Sequence, residues 1–385
     1  MSFGWRRCAG QCVVILLAAC TPRPETIAPG ERPPKETAEG GLWMVMDRAE
    51  QQLATSGQLV EDDALQAYVA EIACRVAAGY CDDIRVYVVE EADFNASMAP
   101  NGMMSVWTGL LLRAENEAQL AAVLGHEIAH FEQRHTLQRW QEAQAASTGL
   151  VFFGLAAAMA GVGIAGDVAT LAVAGHLQSY SRDMERDADA GGLRMMHEAG
   201  YDPAEAAKIW EGLMAEYEAG DVDGPSLFLA SHPPQEERFA ALSRLAEELD
   251  GGGDERRETE RYLRVTLPHR GAWLEEELQR RRYARMQVVL DRLMQTGTGL
   301  AELHYFQGEL HRRRGEPDDA EKALAAYDRA IGLGGTPAEA FRSRALVLWD
   351  QGETAAAHTA FEQYLAAAPA ATDRAMIQAY IEELR

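Results

Sequence analysis

His126-Glu127-Ile128-Ala129-His130 is the stretch on which the reading of this chain turns. Two histidines four positions apart project from one face of a helix, and the glutamate between them points toward the same cleft. Zinc takes neutral nitrogen ligands at a rigid spacing, which a helix supplies without further ordering. A water polarised by such a metal is within reach of a carboxylate base, the role the spacing predicts for Glu127. Around the motif, Leu120, Ala121, Val123, Leu124 and Ile128 are apolar, as expected of a buried helix rather than a surface pattern. The helical pattern extends from Leu110 to His135. On that continuous helix His135, five past His130, faces elsewhere and is expected at the surface.

Two histidines need a third protein ligand. Downstream, Ser181-Arg182-Asp183-Met184-Glu185-Arg186-Asp187-Ala188-Asp189 opens a helix running to Glu198. Glu185 and Asp189 are four apart and share a face, whereas Asp187 points away from both. One of the pair can bind the metal while the other braces a ligand histidine through its distal nitrogen. The pattern leaves open which does which. Cys74 and Cys81 form a single pair, a poor zinc set, and read either as a disulfide or as two small buried thiols. His176 is expected as a packed core residue; His197 and His269 carry no informative spacing.

Upstream, residues 41 to 78 carry apolar side chains at helical spacing and read as two helices around Gly57. Ile84 to Val89 and Met103 to Trp107 read as strands, with mixed turn and strand signals from Asn95 to Gly102. Long helices beside a small antiparallel sheet define an α+β domain. A peptide substrate is expected along the sheet edge near Met103 to Trp107, as an added strand.

The chain has 385 residues, of which 47% are hydrophobic, and a formal net charge of -24. So acidic a protein is repelled by nucleic acid and by anionic lipid surfaces, so no nucleic-acid partner is expected. Arg6 and Arg7, the apolar run Val13 to Ala19 and the ending Leu17-Ala18-Ala19-Cys20 describe an export signal at residues 1–19. The apolar run is too short for a helix to cross roughly 30 Å of hydrocarbon. The ending resembles a bacterial lipobox, which implies Cys20 as the lipid anchor of a periplasmic protein, with an ordinary cleaved signal and an accidental Cys20 as the other reading. Thr21, in place of the Asp that resembles an inner-membrane retention signal, points to the outer membrane. Residues 20–40 read as a flexible tether, and 41–248 as the zinc peptidase domain.

Thr148 to Gly166 is nearly uncharged and about 19 residues long, the length at which a membrane span is considered. Its Ala and Gly content favours a close-packed helical hairpin against the protein's own core or cleft. The place of that hairpin, around 148 to 178 between the two ligand-bearing helices, predicts a lid over or beside the cleft. The GxGxxG at Gly161 to Gly166 follows no strand and carries no dinucleotide reading. Residues 249–258, with Gly251-Gly252-Gly253, mark a linker. Residues 259–300 form connecting helices, including a charged amphipathic helix from Leu274 to Met294. From Ala301 to the end, five helical segments are punctuated at Gly315, Gly334-Gly335, Gly352 and Pro369, with Ala320 and Ala357 equivalent, then Tyr327 and Tyr364. This spacing resembles tetratricopeptide repeats.

The motif at His126 to His130, the Glu185 to Asp189 helix, Asn95-Ala96 with Pro100-Asn101-Gly102, and Ser231-His232-Pro233-Pro234-Gln235 together resemble the BepA-like periplasmic metallopeptidases. These are gluzincins of the heat-shock and CaaX-protease superfamily. The resemblance implies one zinc per chain held by His126, His130 and Glu185, with Asp189 behind them. It implies that His232 approaches the metal to restrain or assist the reaction, with Arg238 nearby. It further implies unfolded or misassembled envelope proteins as substrates, and contact with outer-membrane assembly machinery through the repeats. Met98-Ala99 before Pro100 departs from the usual loop, and the segment Tyr262 to Met294 and the enlarged repeats depart from the family's arrangement. Two other readings stand beside the peptidase: a periplasmic chaperone or scaffold with a structural or latent zinc site, and an integral-membrane protease spanning at 148–166.

Overall fold

A computed structural model describes residues 26–145, 179–220, 227–233, 236–249 and 256–385. The expected export signal, Cys20 and the segment 148–166 lie outside the described residues, as do His176, Gln235 and most of the expected linker.

Helix α1 (Ala38–Ala54) starts at Thr37, whose side chain accepts the Gly40 N–H. Helix α2 (Asp63–Ala77) is preceded by Asp62, whose carboxylate accepts from the amides of Ala64 and Leu65. A short 3-10 turn over Ala78–Asp83 follows, and Cys74 and Cys81 are joined by a disulfide across it. Of the two readings of this pair, the bonded one is the structure's.

The sheet has three strands, β1 (Arg85–Val89), β2 (Ala96–Met98) and β3 (Met103–Trp107), in the order β1-β3-β2. β2 pairs with β3 antiparallel, Ala96 opposite Val106 and Met98 opposite Met104, as the turn between them dictates. Gly102 in that turn has φ +88°, and a Cβ there would stand 2.0 Å from the Asp83 carbonyl oxygen. β1 pairs with β3 in parallel, Arg85 opposite Met103 and Val89 opposite Trp107, so the sheet is mixed. β3, all five residues buried, is therefore the central strand with both sides paired. This corrects the expectation that substrate adds at Met103 to Trp107: the outer strand on that side is β2.

The expected helix from Leu110 to His135 is three pieces, α3 (Thr108–Arg113), α4 (Glu117–Glu132) and α5 (His135–Ala145). Asn116 breaks the first junction, its side chain capping α4 at the Gln119 amide. Arg134, in the left-handed region with φ 54°, breaks the second. Glu117, in the first turn of α4, anchors that helix: its buried carboxylate accepts from Tyr68 and Tyr201 hydroxyls and from Arg75 and Arg261.

The helices α6 (Arg182–Glu198), α7 (Ala204–Ala219), α8 (Leu227–Ser231) and α9 (Glu236–Leu249) complete the region around α4. Beyond it come α10 (Thr259–Gln279), α11 (Tyr283–Gln295), α12 (Leu300–Arg314), α13 (Asp319–Leu333), α14 (Glu339–Asp350), α15 (Thr354–Ala367) and α16 (Arg374–Glu383). The single helix expected from Leu274 to Met294 is two, parted at Arg281, which has φ 58°. On either side, Arg280 pairs with Glu91 and Arg282 with Asp93, both on the β1–β2 connection.

One continuous apolar core runs from Ile27 through α2, the sheet, α4 and α10 to α13 and reaches Val347. A second, with Phe361, Tyr364, Ile377 and Ile381, sits among α14 to α16. Polar groups reinforce the junction with the late helices. Arg113 of α3, 1% exposed, donates to Glu216 of α7 and to Glu277 of α10, and the Tyr262 hydroxyl donates to the Leu111 carbonyl. Among the described residues, no helix is long and apolar enough to cross a membrane.

Candidate metal centre

The centre forms where α4 crosses α6. A Cβ on Gly192 would stand 2.5 Å from the His126 amide nitrogen, and one on Gly125 would stand 2.8 Å from the Gly192 carbonyl oxygen. Two glycines facing each other let these backbones approach closely, bringing Glu185 and Asp189 against the histidine face of α4.

There, His126, His130, Glu185 and His232 each aim one ligand atom into a space where all four atoms lie within 4.8 Å of one another. His126 Nε2 is 3.1 Å from His130 Nε2 and 3.2 Å from His232 Nδ1. Glu185 Oε1 is 3.0 Å from His232 Nδ1 and 3.5 Å from His130 Nε2. An imidazole nitrogen has one lone pair or one hydrogen, so His126 Nε2 cannot pair with both neighbouring nitrogens. A divalent cation among them takes a lone pair from each. Two atoms bound tetrahedrally to zinc at ~2.05 Å stand about 3.3 Å apart, and the observed separations bracket that value. The His/His/Glu/His set fits a single zinc ion.

The electrostatics leave two of the donors in the form a metal binds, His130 neutral and Glu185 ionised. Burial pushes the His130 imidazole well below its ordinary range, which keeps it neutral and its lone pair available. Burial alone would raise Glu185, but the charges and hydrogen bonds of His232, His130 and His126 outweigh it and hold the carboxylate ionised. Behind the ligands, His126 Nδ1 lies 3.1 Å from Asp189 Oδ1. Arg238 grips Asp189 with two bonds of 2.8 Å and reaches Glu185 Oε2 at 2.5 Å. Its guanidinium also sits 4.8 Å from the ring centroid of Trp210. The structure thus separates the two acids left open by helical spacing: Glu185 faces the ligand cluster and Asp189 faces the far side of His126.

Glu127 is 2% exposed, and burial raises its carboxyl above the ordinary value. Its Oε1 has no hydrogen-bond partner among the described residues and lies 3.4 Å from His232 Nε2. The Met98 amide of β2 also reaches this carboxylate, so the outer strand and the carboxylate line one cleft. Asn95 is fully buried just before β2, and neither side-chain amide atom has a hydrogen-bond partner among the described residues. In the turn, Asn101 donates to Asp47 and Glu50.

One expectation fails here. His135 is not at the surface: it is 0% exposed, with Nδ1 2.8 Å from His130 Nδ1. Helical spacing misplaced it because the helix stops at Arg134. Tyr180, which sequence reasoning did not single out, stacks on His130 with centroids 3.9 Å apart and planes at 24°. Of the remaining histidines, His269 lies 3.2 Å from Asp62 and stacks on Trp273, away from the cluster.

Residues 60–246 match peptidase family M48, a segment that contains every residue of this centre. The chain is 27% identical over 216 residues to a putative beta-barrel assembly-enhancing protease of Vibrio cholerae, covering 53% of this chain and 43% of that protein. It is 28% identical over 209 residues to the beta-barrel assembly-enhancing protease of Escherichia coli, covering 51% and 42% respectively. Over 179 residues it is 31% identical to the mitochondrial metalloendopeptidase OMA1 of Schizosaccharomyces pombe, covering 46% and 51%. The chain spans about half the length of the curated relatives it matches. The donor set lies inside the matched segment, which supports a zinc metallopeptidase whose residues 60–246 are similar to peptidase family M48, with a family-level likeness to the beta-barrel assembly-enhancing proteases and to OMA1.

Proposed function

We propose that this protein is a zinc-dependent endopeptidase that hydrolyses unfolded or misassembled proteins of a bacterial envelope. The observation that carries the reading is the buried Glu127 carboxylate, set beside four convergent metal donors and hydrogen-bonded to the outer strand of the sheet. His126, His130 and Glu185 hold the metal. Bound there, zinc supplies Lewis acidity toward a peptide carbonyl and makes a nearby water easier to deprotonate.

Glu127 takes the proton of the attacking water and passes it to the leaving amine, a task suited to a carboxyl raised by burial. The substrate backbone pairs with β2, Ala96–Met98, and is thereby aligned across the cleft. Asp189, held by Arg238, keeps His126 oriented.

His232 supports a second, latent state. It lies within 3.2 Å of His126 Nε2, 3.0 Å of Glu185 Oε1 and 3.4 Å of Glu127 Oε1, where water and substrate must enter. Cleavage then requires the segment from Leu227 to Pro233 to withdraw. A chaperone or scaffold with a permanently closed zinc site is the alternative this contact favours.

The disulfide between Cys74 and Cys81 supports an oxidising compartment, in keeping with export and a lipid anchor at Cys20 in the periplasm. The helices from Ala301 onward, read as tetratricopeptide-like repeats, are the surface proposed for outer-membrane assembly machinery. The test is cleavage of unfolded casein by the purified chain before and after chelation, with zinc added back. Loss on chelation and recovery with zinc are expected. A wild-type protein that binds one zinc and cleaves nothing, while His232→Ala also cleaves nothing, would establish the scaffold instead.

A further inference from the structure

The two histidines of the α4 motif are braced from behind by different chemistry. His126 Nδ1 meets the carboxylate of Asp189, whereas His130 Nδ1 meets another imidazole, that of His135, at 2.8 Å. The contact is built into the fold. Arg134 adopts a left-handed conformation, uncommon for a residue with a side chain, and reverses the chain so that α5 begins directly beneath His130. The same turn places Thr136, whose hydroxyl lies 3.0 Å from that of Tyr180. Tyr180 stacks on His130 and is tied by its amide to the Ser231 carbonyl. The His130 ring is thus confined on its face by Tyr180 and at its far nitrogen by His135.

We propose that His135 is a positioning residue that fixes the tautomer and orientation of His130 for metal binding. This rests on the zinc reading of the centre. The Nε2 atom of His130 faces Glu185 and His126, so that nitrogen must present its lone pair, and the ring proton must sit on Nδ1. His135 Nδ1 then accepts that hydrogen, and the proton of neutral His135 sits on its own Nε2. The opposite arrangement, with His135 donating, puts a hydrogen on His130 Nε2 and abolishes it as a ligand. An imidazole here has a further consequence. Zinc and Arg238 together carry three positive charges, and Glu127, Glu185 and Asp189 carry three negative ones. A neutral acceptor behind His130 leaves this buried centre balanced, where a fourth carboxylate would not.

The experiment measures zinc affinity of the full chain by competition with a chromogenic chelator, for wild type, His135→Leu and His135→Asn. The asparagine amide oxygen can occupy the place of Nδ1, while leucine fills space without accepting a hydrogen bond. Loss of such a brace costs about 10- to 100-fold in affinity, so His135→Leu is expected to bind zinc that much more weakly. His135→Asn is expected to stay within about threefold of wild type, as the retained acceptor requires. Leucine binding as tightly as wild type, or asparagine as weakly as leucine, overturns the proposal. Wild type that binds no zinc overturns the zinc reading itself, a distinct outcome. Should the leucine variant fail to fold, judged by melting of the metal-free protein, nitrogen-15 NMR of zinc-loaded wild type decides. A hydrogen on His130 Nδ1 with an unprotonated His135 Nδ1 supports the proposal, and the reverse refutes it.

Discussion

Gly192→Ala should loosen the metal centre while leaving every ligand side chain in the sequence. The added Cβ would stand 2.5 Å from the His126 amide nitrogen, 2.7 Å from the Gly125 carbonyl carbon and 2.8 Å from the His126 Cα. All three are backbone atoms of α4, so no side-chain rotation relieves the contact. Restoring an ordinary contact of 3.4 Å requires α6 to back away from α4 by about 0.9 Å. Glu185 rides on α6 while His126 and His130 ride on α4, so the displacement falls on ligand separations that tolerate only about 0.2 Å. Zinc affinity should fall at least about tenfold, equivalent to roughly 1.4 kcal/mol. The metal-free fold should lose about 1–3 kcal/mol from overpacking. Chelator competition and denaturant titration read the two effects separately. Gly125→Ala, with its closest contact at 2.8 Å, should be milder. Gly332→Ala, on an exposed helical face with nothing within 4 Å, should leave zinc binding unchanged and add up to about 1 kcal/mol of stability. Wild-type zinc affinity in Gly192→Ala would refute the claim that this crossing sets the ligand geometry.

Three further outcomes are expected. Gly308→Ala places a Cβ 2.4 Å from the ring of the fully buried Tyr327, and should destabilise the α12–α13 pair by about 1–3 kcal/mol in a thermal melt. Arg113→Met removes the cation shared by buried Glu216 and Glu277 and should cost about 3 kcal/mol in denaturant unfolding; an unchanged midpoint contradicts the pairing. Burial alone would raise the Glu309 carboxyl, but Arg312, Ser343 and Tyr327 hold it at about 2 against an ordinary 4.5. Its folded value is depressed, so its contribution, of order 3 kcal/mol, is complete above about pH 4.5 and is lost as pH falls toward 2. Glu309→Gln should flatten that part of the melting profile; an equally steep acid limb would show that other groups drive it.

Much of the centre is legible along the chain because its ligands sit on two helices with regular spacing. His126, Glu127 and His130 follow from one helical face, and Glu185 and Asp189 from another. What helical counting could not supply is the direction of approach between helices, which decides that Glu185 meets the cluster and Asp189 the back of His126. The same limitation placed His135 at the surface. Its position depends on a left-handed residue at Arg134, a conformation that an arginine does not announce. The split of α10 from α11 at Arg281 was hidden for a similar reason, since the partners of Arg280 and Arg282 are Glu91 and Asp93, nearly two hundred positions earlier. Strand positions in β1 and β3 were readable from branched and aromatic residues. The parallel pairing of those two strands was not, because β2 and its turn carry the chain around before β3 inserts between them.

The proposed role of Glu127 as the base beside a zinc held by its neighbours is put to the test by Glu127→Gln. The variant should retain one zinc per chain with unchanged affinity and should cleave unfolded casein at least about a hundredfold more slowly than wild type, the loss expected for removing a general base. A zinc-loaded Glu127→Gln protein that cleaves at the wild-type rate would contradict the account.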